Sequence, residues 1–277
     1  MPPSLATPEP PAPGQPWVRA DLRPLFAGLD FDAFLALGGE HVRTGPDGAR
    51  HTSRFERGGR RFYLKVHTGL GWGEILRCWL QGKRAIVDAR PEARALTHLA
   101  ELGLAAPRLA AWGVRGRDPA RRQSFLVTES LEESEDLAEV LARAPPPTIR
   151  FRQALARELG RIAGRLHAAR LAHQDLYLTH FRLRRHADGS FALFLLDLHR
   201  AYVAPRARRR WQRKDLAALR YSTLALAVTR ADCARFFAAY RAELAPTERA
   251  AERALRRRVE ARARRVQARI ARRGGAD

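Results

Sequence analysis

A chain of 277 residues with 45% hydrophobic side chains is long enough to bury a sizeable core, which excludes a small stapled scaffold. Its 51 Lys and Arg against 29 Asp and Glu leave a formal net charge of +22, a field that draws polyanions such as nucleic acid, anionic lipid or a phosphorylated glycan without choosing among them. Cys78 and Cys233 show no metal or redox spacing, which points to a reducing, cytosolic setting, and no apolar run reaches the length of a membrane span.

In chain order, residues 1–16 are rich in Pro and Ala and have neither a basic nor a continuous apolar stretch, which predicts a disordered leader over residues 1–20 rather than a signal peptide. From 41 to 67, the turn residues 45–48 (GPDG) and 58–59 (GG) divide short runs that end in RFYLKVH, predicting a three-stranded antiparallel meander. A helix is expected over 91–102, where Ala95, Leu96, Leu99 and Leu102 recur at helical spacing behind Pro91, with Gly103 as its stop. Residues 124–128 (SFLVT) read as a buried strand, and the acidic stretch 129–135 as a connector. There the boundary between two lobes is placed, 21–130 and 131–277.

In the second part, Leu155, Leu159, Ile162 and Leu166 predict a helix over 152–169. Residues 182–197 predict a hairpin about Asp188-Gly189, with 191–196 (FALFLL) as a buried strand. Everything beyond Trp211 reads as helical, so the fold class is α+β, strand-rich first and helix-rich after.

The segment that carries chemistry is HQDLYLTH at 173–180, followed after the hairpin by LLDLHR at 195–200. An aspartate on a loop after a helix and a second at the end of a buried strand place a base near an acceptor hydroxyl and a carboxylate on a metal, as in a protein-kinase-like bilobal fold with an antiparallel-sheet N-lobe and a mostly helical C-lobe. Phosphoryl transfer asks little covalent work of the protein, because its transition state spreads charge over oxygens that metal and cations neutralise in place. Lysine occurs only at Lys65, Lys83 and Lys214 in a chain whose cations are otherwise arginine. Lys65 lies on the last strand of the meander, where such a lysine reaches nucleotide phosphates, and Glu92 in the first turn of the next helix is its natural ion-pair partner.

These motifs, together with HTGLGWGEI at 67–75, resemble the lipopolysaccharide core heptose kinases, a branch of protein-kinase-like folds that phosphorylates the first heptose of the inner core in Gram-negative bacteria. The likeness runs from about residue 40 to about 273. It implies Asp175 as catalytic base, Asp197 and His180 as metal ligands, Lys65 and Glu92 at the ATP phosphates, and adenine against the connector near Glu129 and Leu131. ATP and magnesium are the implied cofactors. The implied setting is the cytoplasmic face of the inner membrane, with core glycolipid as substrate, an anionic membrane surface and an acidic carrier protein as further partners, and no nucleic acid.

Several positions keep a second reading. His180 stands where most protein kinases carry Asn, and is either a ligand or a structural histidine bonded to a loop carbonyl. His173 reads as a support beneath the loop. Asp215 is either a brace for that loop or an ordinary acid in the first turn of a helix. Residues 69–75 are a glycine-rich turn into a short helix, or a substrate or regulatory element. Thr44 to Ala49 offers amides without the full glycine-rich nucleotide pattern. The Arg-rich stretch 247–273 carries the stripe Leu255, Val259, Val266 and Ile270, which either docks on its own lobe or lies on anionic lipid. A kinase of Kdo, another small sugar or a protein, and a nonenzymatic basic binding module, are the competing functions.

Overall fold

The computed structural model describes residues 12, 14–45, 48–82, 84–204, 209–246 and 252–274. Two compact units divide the chain: the first runs to Glu101 and resumes over Ala106–Glu132, and the second takes Leu102–Ala105 and continues from Glu133.

In the first unit, β1 (Trp17–Val18), β2 (Glu40–Thr44), β3 (Arg50–Arg57), β4 (Arg60–His67), β5 (Leu109–Arg115) and β6 (Gln123–Glu129) form one antiparallel sheet in the order β1-β5-β6-β4-β3-β2. The expected meander is β2, β3 and β4, and its first turn includes Pro46 and Asp47, which lie outside the described residues. Alternation along β4 sends Phe62, Leu64 and Val66 into a core shared with Phe26, Phe31, Phe34, Phe55 and Phe125. Phe34 stacks on Phe125 with centroids 4.6 Å apart. Helix α1 (Phe31–Leu35) delivers two of these rings, and its Asp30 cap accepts a hydrogen bond from the Ala33 amide at 2.8 Å. The leader expected over 1–20 is corrected at its end, because Trp17 and Val18 pair with Trp112 and Ala111 and so belong to the sheet. Residues 1–11 and 13 lie outside the described residues.

Helix α2 (Trp72–Leu80) follows β4, and α3 (Arg90–Glu101) buries Ala93, Ala95, Leu96 and Leu99. Gly69 enters α2 with φ +98°, and a Cβ there would meet the Ala120 carbonyl oxygen at 2.9 Å, so only glycine makes this approach without displacement.

In the second unit, β7 (Glu135–Asp136) leads to α4 (Leu137–Ala142) and α5 (Ile149–Ala168). Two-residue β8 (Leu171–Ala172) pairs with β11 (Tyr202–Val203), and the hairpin β9 (Phe181–Arg185) and β10 (Phe191–Leu195) pairs with β7. Helices α6 (Arg209–Ser222), α7 (Arg230–Ala242) and α8 (Glu252–Gly274) complete it. Helices α5 and α7 approach closely at Gly160 and Gly164, where a Cβ would stand 2.3 Å from the Phe236 carbonyl oxygen and 2.8 Å from that of Tyr240. Part of the stripe on α8 docks on its own unit: Val259 is buried beside Ala263, Leu255 and Val266 are half-buried, α8 packs on α6, and Arg220 Nε donates to Glu260 at 2.8 Å, while Ile270 is exposed.

Candidate active site

The loop after β8 is built on a buried carboxylate. Asp215 sits in the middle of α6, fully buried, and accepts the amides of His173 at 2.8 Å and Gln174 at 2.7 Å. Gln174 has φ +72°, a left-handed conformation that a non-glycine residue holds only when its surroundings over-determine it. The reading of Asp215 as a first-turn acid therefore gives way to that of a brace. Its Oδ2 also faces His167 Nε2 at 3.3 Å, and His167 Nδ1 lies 3.0 Å from the Tyr240 hydroxyl. The arrangement is satisfied when Nε2–H donates to the carboxylate and the tyrosine hydroxyl donates to Nδ1.

His173 supports the loop from within, as expected. It is fully buried, its Nε2–H donates to the Leu196 carbonyl at 2.9 Å, and Nδ1 accepts the Asp175 amide at 3.3 Å. Burial pushes its pKa below the ordinary histidine value, in keeping with a neutral ring that has one donor and one acceptor.

His173 thus links the two segments of the motif, since Leu196 immediately precedes Asp197. Asp197 takes a left-handed conformation at φ 59° after β10, and its Oδ1 accepts from His199 Nδ1. His180 Nδ1 lies 2.6 Å from the Asp175 carbonyl oxygen, which can only accept, so Nδ1 carries a proton and the lone pair of the neutral ring belongs to Nε2. This Nε2 stands 3.5 Å from Asp197 Oδ2. The two readings of His180 are thus compatible, because the loop carbonyl takes one nitrogen while, in the neutral ring, the lone pair of the other can ligate a cation beside Asp197.

Among the described residues no three His, Cys, Asp or Glu side chains gather as a metal cage. A hard divalent cation held against phosphates takes only one or two protein ligands and fills its remaining positions with phosphate oxygen and water. The Nε2 of His180, when the ring is neutral, and the carboxylate oxygen beside it fit such a cation.

Asp175 has two cations at its carboxylate, Arg200 Nε at 3.3 Å and Lys214 Nζ at 3.7 Å. Burial, aided by the Arg200 charge, holds the Lys214 pKa below the ordinary lysine value despite the attraction of Asp175. Sequence reasoning missed both cations as partners of Asp175. The scarcity of lysine was the signal that marked Lys214.

In the first unit, Lys65 points away from the Phe62 face and its Nζ donates to Glu92 Oε1 at 2.5 Å; Glu92 is 4% exposed. Glu129 pairs with Arg19 and, at 2.6 Å, with Arg60, and its amide donates to the Arg108 carbonyl at 3.0 Å.

A sheet-rich unit carrying a Lys–Glu pair, followed by a helical unit with an aspartate loop and a second aspartate after a hairpin, defines a protein-kinase-like fold. A solved structure titled WaaP in complex with acyl carrier protein shares it, with a TM-score of 0.73 and 33% identity, covering 91% of this chain and 98% of its own. The Lipopolysaccharide kinase (Kdo/WaaP) family matches residues 32–240, and the chain belongs to that family. It is 41% identical over 225 residues to the lipopolysaccharide core heptose(I) kinase WaaP of Pseudomonas aeruginosa, covering 78% of this chain and 82% of that one. To the protein of the same name from Escherichia coli it is 32% identical, covering 78% and 83%.

Proposed function

We propose that this chain transfers the γ-phosphoryl group of ATP, with magnesium, to a hydroxyl of heptose I in the lipopolysaccharide core. The observation that carries this reading is the braced loop that sets Asp175 beside the His180–Asp197 pair, in a chain 41% identical to a heptose(I) kinase. Asp175 would accept the proton of the sugar hydroxyl while its oxygen bonds to the γ-phosphorus and the bond to the β-phosphate oxygen breaks, releasing ADP. Asp197 and His180 would hold the magnesium, whose chemistry is to neutralise charge on the phosphate oxygens. Lys65, held by Glu92, would bind the α- and β-phosphates, and the connector at Glu129 and Leu131 would meet the adenine.

A labelled-phosphate assay on core lipopolysaccharide lacking heptose phosphate, with mass spectrometry of the product, tests the reading. Transfer to heptose by the wild type and its loss in Asp175→Asn, with the melting temperature retained, are expected. Label on Kdo alone, or equal transfer by Asp175→Asn, would overturn it.

An acidic carrier protein is the partner this reading favours. The net charge of +22 suits one, and the solved relative is paired with an acyl carrier protein. A cavity of about 100 Å³ in the second unit, lined by Leu155, Leu159, Leu178, Leu219, Phe236 and Phe237, has the chemistry to take an aliphatic chain. Tighter co-purification with acylated than with unacylated carrier is the expected result.

A further inference from the structure

Helix α2 presents its apolar side to solvent. At about 100° per residue, Ile75, Trp79, Trp72, Leu76 and Leu80 fall within an arc of about 140°, with Gly73, Glu74, Arg77 and Cys78 on the remaining face. A core helix would bury such an arc. Here Trp72 is 61% exposed, Leu76 55%, Trp79 71% and Leu80 72%, and no residue of α2 is buried. A contiguous exposed patch of this size marks an interaction surface.

We infer that α2 lies in the surface of an anionic lipid bilayer, with Trp72, Leu76, Trp79 and Leu80 inserted among the acyl chains. Three observations favour lipid over another protein. Two of the patch's large residues are tryptophans, whose rings settle where headgroups meet hydrocarbon. Arg77 lies on the opposite face and Arg84 follows the helix, in a chain of net charge +22 that complements anionic headgroups. The helix also ends free of apolar cover while its start is fastened, since the Gly71 amide donates to the Ala120 carbonyl at 2.9 Å. This anchoring leaves the apolar side of the nine-residue helix turned to solvent, where it can lie along a surface. The proposal deepens the reading of a kinase whose acceptor sugar is carried by a membrane lipid, and it places the lipid contact on α2, where the large apolar side chains are exposed.

The test uses the full chain and vesicles of phosphatidylethanolamine and phosphatidylglycerol. Wild type should float with the vesicles at physiological salt and be quenched by brominated lipid, and W72A/W79A should lose at least tenfold in vesicle affinity with an unchanged melting temperature. Leu80→Glu should lose binding as well. A wild type that stays in the lower fraction, or a double variant that floats equally, would overturn the inference, as would a change of the variant confined to its oligomeric state. The same preparations assayed on vesicle-borne and on delipidated core acceptor separate the two readings. Loss of rate by W72A/W79A on the vesicle-borne acceptor alone supports α2 as the lipid contact. Absence of transfer to both acceptors by the wild type, with flotation intact, would remove the kinase reading and leave the lipid contact standing.

Discussion

His180 and Asp197 face each other across 3.5 Å, the histidine's Nε2 toward the aspartate's Oδ2, while the other ring nitrogen is tied to the Asp175 carbonyl. The geometry makes a mixed nitrogen and oxygen pair, and magnesium prefers oxygen. Asp197→Asn is expected to lower kcat by at least about a hundredfold, because on the proposed reading it would remove the charge that holds the cation. His180→Asn, which supplies an amide oxygen, should keep measurable turnover and shift the order of activating metals away from manganese and toward magnesium. Steady-state rates across a metal series read both outcomes.

Asp215 acts on this pair at one remove, through the amides of His173 and Gln174. In Asp215→Asn an NH₂ group replaces one oxygen and must face a buried donor, from His173, Gln174 or His167. An unsatisfied buried group of this kind costs about 1–3 kcal/mol. The melting temperature should fall by several degrees and kcat should drop while the KM for ATP stays within about twofold, since Lys65 and Glu92 belong to the other unit. Tyr240→Phe leaves the buried His167 Nδ1 without the hydroxyl that donates to it, so it should lower the melting temperature as well but change kcat far less.

Lys214 supplies the pH dependence. Its folded pKa is lowered chiefly by burial, so it loses its charge at a lower pH than an ordinary lysine. As pH rises through that lowered value, Asp175 keeps Arg200 and loses its second cation. The rate should therefore fall on the alkaline side, earlier than ordinary lysine titration would bring it. Lys214→Arg keeps its charge throughout and should move that limb upward, and Lys214→Met should be slow at every pH. Stability has the opposite sign: folding disfavours the charged form, so this group's cost is present at neutral pH and is relieved as pH rises toward the unfolded lysine value. Profiles of kcat/KM and of melting temperature against pH separate the two effects.

The local elements were legible where one face is buried and a turn punctuates the run. Alternation exposed β4 and the Asp188-Gly189 turn exposed the β9–β10 hairpin, while helical period gave α5 to within three residues at its start. Strand β5 (LAAWGVR) escaped because its first five residues are buried and small residues interrupt any alternation. Helix α1 escaped because five residues carry too little periodicity, although Phe31 and Phe34 anchor the sheet's core. In the site, spacing singled out Asp175 and Asp197, and their roles and that of His180 were given by the family resemblance. Arg200 and Lys214 reach Asp175 from separate elements, and Tyr240 reaches Asp215 through His167; no local pattern encodes such meetings. On α8 the apolar stripe was visible in sequence, but its partner α6 was not.

Gly160 shows how one missing Cβ holds the helical unit together. A side chain there would meet the Phe236 carbonyl oxygen at 2.3 Å and the Ala239 Cβ at 3.0 Å, and main chain cannot yield as a flexible side chain does. Gly160→Val must therefore push α5 from α7, and overpacking of this kind costs about 1–3 kcal/mol. Gly73, in the first turn of α2, has nothing within 4 Å of its Cβ position. Gly73→Ala should leave stability unchanged or raise it by up to about 1 kcal/mol, through helix propensity alone. Urea denaturation of the two variants should move the midpoint in opposite directions or leave Gly73→Ala unmoved. A Gly160→Val variant as stable as wild type would mean that the close approach of α5 and α7 is not what packs this unit.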